Sequence, residues 1–172
     1  LKNTEKLLNL TRNIALDANA SFTKEDCLFI QETPEFQKLM YIEQPLEIGN
    51  FGILKNGNSV NWMADEDCQD ITFLEKLKPY YSSINIKLMK CGGLTPALEM
   101  ITEAKKIGYK IMLGCMTESS IGISAGCAIA GLLDFADLDG ANLISNDYAT
   151  GSFVDNGKII LSEKPGLGIA LL

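Results

Sequence analysis

Lys87 lies within an apolar, strand-like run, Ile84-Asn85-Ile86-Lys87-Leu88-Met89-Lys90-Cys91-Gly92-Gly93, that ends in paired glycines. An ammonium in such company is costly to bury unless a partner or a lowered pKa compensates. Other apolar runs also end in an ionised residue: Ile14-Ala15-Leu16-Asp17, Met40-Tyr41-Ile42-Glu43, Trp62-Met63-Ala64-Asp65 and Phe135-Ala136-Asp137. Asp17 and Glu43 are 26 residues apart, and the steps from Glu43 to Asp65 and from Asp65 to Lys87 are both 22. A strand, a helix and two short loops need roughly that length, the mark of parallel βα units. In such folds the carboxyl ends of the strands carry the ligand site. The spacing therefore predicts Asp17, Glu43, Asp65 and Lys87 at one end of one sheet.

Three carboxylates converging from three strand ends repel one another, and a divalent cation resolves that conflict. All-oxygen coordination, with the remaining positions left to water and substrate, selects Mg²⁺ or Mn²⁺ over zinc. Beside such a metal Lys87 is the candidate catalytic base. To act near neutral pH, a lysine has to come down from about 10.4 to about 7–8, and a nearby dication pushes in that direction. The chemistry that follows is proton abstraction alpha to a carboxylate, with the metal taking up the charge that develops.

The elements that must position these groups follow in order. Leu7, Leu8, Leu10 and Ile14 have near-helical spacing, so Lys2 to Asn13 is expected to be the tail of a helix feeding a strand over Ile14–Asp17. Thr23 can cap a helix starting at Lys24, with Glu25 and Asp26 in its first turn. A strand over Met40–Glu43 follows, then Gln44-Pro45, and the glycine-bearing stretch Leu46–Asn58 is assigned a short or broken helix. Val60–Asp65 is expected as strand and Asp70–Tyr80 as helix, with Lys76-Leu77-Lys78 on its solvated face.

After the Lys87 strand, Thr95 as cap, Pro96 in the first turn and an apolar face of Leu94, Ala97, Leu98, Ile101 and Ala104 define a helix that Gly108 ends. Tyr109–Leu113 is the next strand, Ser119–Leu133 a helix of small residues suited to close packing, and Phe135–Asp139 the last barrel-like strand. Asn156-Gly157 between Phe153-Val154 and Lys158–Leu161 signals a hairpin. The reading is an α/β fold with a partial barrel over residues 1–147 and a β-ribbon tail over 148–172 that would pack on a capping domain.

Composition narrows the function. The 172 residues carry a net charge of −7 with no basic stripe, which argues against nucleic acid as a partner. There is no histidine, which removes Ser-His and Cys-His nucleophile systems and the commonest zinc ligand together. Five scattered cysteines without Cys-x-x-Cys spacing fit reduced thiols in a cytoplasmic protein. No apolar run is long enough for a membrane span, and no signal peptide is evident. The chain begins at Leu1, inside an expected helix and without an initiator methionine, as a piece of a longer protein would.

Asp17-Ala18-Asn19, Glu43-Gln44-Pro45, Ala64-Asp65-Glu66, Asn85 to Gly93 and Gly114-Cys115-Met116-Thr117-Glu118-Ser119 together resemble the barrel of the muconate-lactonising subgroup of the enolase superfamily. The likeness runs from about Ile14 to Gly168, with motifs of five strand ends in the family's order and spacing. It implies strands 3 to 8 of a TIM-type barrel, Asp17, Glu43 and Asp65 as ligands of Mg²⁺ or Mn²⁺, and Lys87 as base. A lysine or histidine base with magnesium stabilising an enediolate is the general arrangement of that superfamily.

Asp137-Leu138-Asp139 resembles the pair with which dipeptide epimerases hold the free ammonium of a substrate, which implies an L-Ala-D/L-Glu type epimerase acting on a small-molecule dipeptide. A spacing of two predicts both carboxylates on one strand face. A muconate cycloisomerase, an o-succinylbenzoate synthase and an N-acylamino-acid racemase are the related alternatives, and an inactive barrel segment is the non-enzymatic one. Where the family usually has Asp-Glu-Ser, this chain has Asp65-Glu66-Asp67, so the third ligand stays open among those carboxylates. The family's other catalytic lysine, in a Lys-x-Lys motif on an earlier strand, its capping domain and barrel strands one and two are expected ahead of Leu1. The oligomeric state is left open, a homo-oligomer included.

Overall fold

The computed structural model describes residues 2–9, 11, 13–57 and 60–172; Leu1, Leu10 and Asn58, which enter the expectations above, lie outside them. The chain divides into two compact units, one of Leu1–Ile84 with Lys106–Tyr109 and one of Asn85–Lys105 with Lys110–Leu172.

The first unit contains α1 (Lys2–Leu8), β1 (Leu16–Asp17), α2 (Lys24–Glu32), β2 (Ile42–Glu43), β3 (Trp62–Ala64), α3 (Leu74–Leu77) and the start of β4 (Ser83–Lys87), with 3-10 turns at Phe36–Lys38, Phe51–Ile53 and Ile71–Phe73. Its strands pair in chain order and all in parallel, with Leu16 opposite Ile42, Ile42 opposite Trp62 and Met63 opposite Ser83. Trp62, Met63 and Ala64 are all fully buried, as expected of a parallel strand covered on both faces.

Helix α2 starts where its sequence directs. The Thr23 hydroxyl accepts from the Asp26 N–H at 3.1 Å while an Asp26 carboxylate oxygen accepts from the Thr23 N–H at 2.9 Å, a reciprocal capping box. Replacing Thr23 with alanine is expected to cost about 1 kcal/mol, seen as a lower urea midpoint with an unchanged slope.

The described residues of the Leu46–Asn58 stretch hold a short 3-10 helix at Phe51–Ile53, as expected of it. Two other expectations for this unit change. Asp70–Tyr80 is a 3-10 turn followed by α3 rather than one helix. Nor is Lys76-Leu77-Lys78 a solvated face. Leu77 falls three residues after Leu74 and both are buried, as helical periodicity requires. The Lys78 ammonium donates to the Gly108 carbonyl at 2.8 Å and lies 4.4 Å from the Tyr109 ring centroid, and burial lowers its pKa.

The second unit takes the end of β4 and adds α4 (Leu88–Cys91), α5 (Leu94–Ile107, its last two residues in the first unit), β5 (Lys110–Gly114), α6 (Ser120–Ile129) and β6 (Phe135–Asp137). Strands β5 and β6 are parallel, with Gly114 opposite Asp137. After a 3-10 turn at Gly140–Leu143 come β7 (Ala149–Thr150), β8 (Phe153–Asp155), β9 (Lys158–Ile160) and β10 (Ala170–Leu171). β8 and β9 form the expected hairpin, turning through Asn156 and Gly157 at φ 48° and 73°.

The apolar run from Ile84 does not stay extended. It turns helical after Lys87, because four residues of Leu-Met-Lys-Cys carry no period that separates strand from helix. Helix α5 starts at Leu94, so Thr95 is inside it and does not cap it, and its buried face is Ala97, Met100, Ile101 and Ala104 while Leu98 is exposed. In α6 a Cβ on Gly126 would stand 2.9 Å from a Leu138 methyl and 3.2 Å from a Leu113 methyl, so glycine sets how closely that helix approaches its strands.

Parallel strands alternating with helices in both units make the fold class a segment of a (β/α) TIM-type barrel with a short C-terminal β-ribbon. No helix among the described residues is long and apolar enough to cross a membrane.

Candidate active site

Asp17 and Glu43 end β1 and β2 and are partners in register. Asp65 is the first residue past β3, two beyond Met63, the register partner of Glu43, so strand alternation carried one residue further keeps Asp65 on the Glu43 face. Glu43 and Asp65 are only 6% and 4% exposed, whereas Asp17 is exposed.

The loop after β1 runs along the loop after β2. Ala18, Ala20 and Phe22 donate their N–H groups to the carbonyls of Glu43, Gln44 and Pro45 at 3.0, 2.7 and 3.0 Å. Asn19, Ala20 and Gln44 adopt positive φ of 45°, 60° and 31°, conformations that cost side-chain-bearing residues free energy and that collect at functional sites. The Asn19 N–H also donates to an Asp17 carboxylate oxygen at 2.8 Å.

Among the described residues no group of three His, Cys, Asp or Glu side chains is drawn close enough to hold a metal ion. What the first unit brings together is the carboxylate-bearing ends of three successive strands. Their donor set is carboxylate oxygen alone, two of the three nearly buried, which fits a hard cation such as Mg²⁺ or Mn²⁺.

The neighbouring carboxylates have other surroundings. One Asp67 oxygen accepts from the Tyr81 hydroxyl at 2.7 Å and from the Gln44 amide at 3.0 Å, and the other accepts from the Gly49 N–H at 2.7 Å. Burial and the hydrogen bond to Asp67 push the Tyr81 phenol far above its ordinary range, which keeps it a donor. Glu66 is half-buried and lines a mainly apolar cavity of about 270 Å³ with Ile48, Phe51, Phe73 and Lys76.

In the second unit Lys87 is the half-buried last residue of β4. Two residues earlier, buried Asn85 accepts from the Gly114 N–H at 2.8 Å, and a Cβ on Gly114 would lie 2.7 Å from that amide oxygen. The β4 segment carrying Lys87 is therefore pinned to β5 at Asn85. Lys90 turns back on the strand, its ammonium donating to the Asn85 carbonyl at 3.1 Å. Cys115, just past β5, is held protonated by burial and is no thiolate nucleophile.

Asp137 ends β6, but Asp139 is not on the strand. It precedes the 3-10 turn at Gly140–Leu143 with φ −93° and ψ 6°, so strand alternation does not bring the pair together. They meet instead on one cavity of about 600 Å³, shared with Asn142, Val154, Asn156 and Ile159, and both are exposed. Asn142 joins the wall to the hairpin by donating to the Val154 carbonyl at 3.0 Å. Sequence reasoning named neither Asn142 nor the hairpin as part of this cavity; no local signal pairs residues so far apart.

The chain is 40% identical over 167 residues to an L-Ala-D/L-amino acid epimerase of Maribacter sp., covering 94% of this chain and 49% of that protein. It is 39% identical over 160 residues to the L-Ala-D/L-Glu epimerase of Bacteroides thetaiotaomicron, covering 91% and 42%. A crystal structure of a dipeptide epimerase from Methylococcus capsulatus, complexed with Mg and the dipeptide L-Arg-D-Lys, superposes with a TM-score of 0.82 at 32% identity, over 91% of this chain and 47% of that one. The chain thus spans about half the length of the curated relatives it matches. A family model described as enolase C-terminal domain-like matches residues 5–172, which takes in every strand end described above, and the chain belongs to that family.

Proposed function

We propose that this chain carries the metal ligands and one of the two bases of a dipeptide epimerase, which inverts the alpha-carbon next to a carboxylate. The observation that carries the reading is the meeting of Asp137 and Asp139 on one cavity at the end of β6. Two neighbouring exposed carboxylates select a cation, and the ammonium of a free dipeptide N-terminus supplies one through charge-assisted hydrogen bonds. The activities named for the Maribacter and Bacteroides relatives support the same substrate class.

Asp17, Glu43 and Asp65 would hold Mg²⁺ or Mn²⁺, which when bound supplies positive charge to the carboxylate of the substrate as its alpha proton leaves. Lys87 would remove that proton on one face and deliver it there in the reverse direction. Lys90, three residues past the end of β4 and within α4, is the weaker candidate. The opposing base would come from the Lys-x-Lys motif that the family carries on an earlier strand. All five cysteines are free thiols, which supports a reducing, cytoplasmic setting.

The test is to incubate the full-length protein, including the earlier strand that would bear the Lys-x-Lys motif, with Mg²⁺ and L-Ala-L-Glu or L-Ala-D-Glu in D₂O and follow deuterium at the glutamyl alpha-carbon by NMR. Exchange with conversion of either isomer to a common mixture supports the reading; no exchange from either isomer overturns it. Asp65 directly follows β3 on the Glu43 face, whereas Asp67 lies two residues further on with both oxygens turned to Tyr81, Gln44 and Gly49, so Asp65 is the better third ligand. Asp65→Asn is expected to weaken Mn²⁺ binding by at least about 10- to 100-fold, the range that loss of a supporting hydrogen bond alone reaches. Glu66→Gln should leave that affinity unchanged in calorimetric titration, and the reverse pattern would make Glu66 the ligand.

A further inference from the structure

Gln44 is fully buried, in a left-handed backbone conformation at φ 31°, immediately after Glu43. Its side chain makes four hydrogen bonds. The amide nitrogen donates to the Leu46 carbonyl at 2.8 Å and to an Asp67 carboxylate oxygen at 3.0 Å. The amide oxygen accepts from the N–H groups of Asp65 and Asp67 at 3.1 and 3.2 Å. Turning the amide over would set its NH₂ against two N–H donors and its oxygen against a carbonyl and a carboxylate, so only one orientation satisfies all four partners.

The main chain adds to the clamp. The Gln44 N–H donates to the Met63 carbonyl at 2.9 Å, and the Gln44 carbonyl accepts from the Ala20 N–H at 2.7 Å. One residue thus touches the loops that follow β1, β2 and β3, each of which begins beside a carboxylate: Asp17, Glu43 or Asp65. Asp67 completes the arrangement, because the Tyr81 hydroxyl and the Gly49 N–H fix the carboxylate that in turn fixes the Gln44 amide.

We infer that Gln44 is a positioning residue for the metal-ligand set, holding the backbone of Asp65 at a fixed distance from Glu43 before any cation arrives. The inference rests on the reading of Asp17, Glu43 and Asp65 as ligands and goes beyond it by assigning their preorganisation to one amide. A side chain that only filled space would serve as well if it were apolar and of equal length. Methionine is that side chain: similar in volume, without the amide.

The experiment measures Mn²⁺ binding by electron paramagnetic resonance, without substrate and well below the melting temperature. Gln44→Met is expected to lose about 10- to 100-fold in affinity, as supporting partners of metal ligands do. Thr23→Ala, which weakens the fold at the α2 cap away from this network, serves as the stability control and should bind Mn²⁺ as the parent does. A Gln44→Met protein that binds Mn²⁺ with parental affinity overturns the inference. If that variant does not fold, Gln44→Asn, which keeps the amide but withdraws it by one methylene, is measured in its place with the same two outcomes.

Hydrogen exchange on the unsubstituted, metal-free protein gives a reading that needs no variant. The amides of Asp65 and Asp67 should exchange slowly, although both lie beyond the end of β3. Exchange of both at the rate of open loop amides overturns the inference. If the parent binds no Mn²⁺ at all, the assignment of the ligands fails, and the exchange rates still decide whether Gln44 holds the turn.

Discussion

A Lys87→Ala protein is expected to lose about 10²- to 10⁴-fold in kcat/KM for dipeptide epimerisation, with most of the loss in kcat, because a positioned side chain that transfers a proton contributes on that scale. Its binding of Mn²⁺ should stay near the parental value, since the proposed ligands are Asp17, Glu43 and Asp65. The sharper readout is directional. If two bases stand on opposite faces of the alpha-carbon, removing one should abolish solvent deuterium exchange from the epimer that Lys87 deprotonates and leave residual exchange from the other. Lys90→Ala should do far less, because Lys90 lies in α4, past the strand end that Lys87 occupies. A Lys87→Ala protein that exchanges the alpha proton of both isomers at the parental rate would remove Lys87 from the mechanism, and an equal loss in Lys90→Ala would exchange their roles.

The placement of Lys87 at a strand end was legible because parallel strands buried on both faces are nearly continuous apolar runs, so the first ionised residue after each run marks its end. Leu16-Asp17, Ile42-Glu43 and Trp62-Met63-Ala64 before Asp65 all follow that rule, and these strands pair in chain order. The same logic failed at Leu88–Cys91, where a short apolar segment turned helical, and at Lys78, whose charge suggested solvent although its ammonium reaches the Gly108 carbonyl. What sequence could not supply was the meaning of Gln44 and Asp67. Their hydrogen bonds join residues 18, 21 and 23 positions apart, and neither an amide nor an extra aspartate in a loop differs locally from an ordinary solvated side chain. Ala20 and Gln44, at positive φ, would also have passed for ordinary loop positions, since neither residue type favours that conformation.

Asp137 and Asp139 line one cavity, though not through the strand alternation expected of them, and they carry the second large effect. Strand alternation would have put both on one face, yet β6 stops at Asp137 and the chain bends before Asp139, so the shared cavity depends on the turn at Gly140–Leu143. Each charge-assisted contact to an ammonium should contribute about 1.5–3 kcal/mol, or roughly 10- to 100-fold in binding. Because both carboxylates would address a single ammonium, their effects are coupled, and the double variant Asp137→Asn with Asp139→Asn should raise KM for Ala-Glu by less than the product of the single changes. The parent should in turn treat N-acetyl-Ala-Glu as a poor substrate, since acetylation removes the charge the pair would hold, while the double variant should discriminate little between the two. Steady-state kinetics of both proteins with both substrates closes the comparison. A parent that turns over N-acetyl-Ala-Glu as fast as Ala-Glu has no ammonium pocket at Asp137 and Asp139, and an N-acylamino-acid racemase or a cycloisomerase then becomes the better assignment.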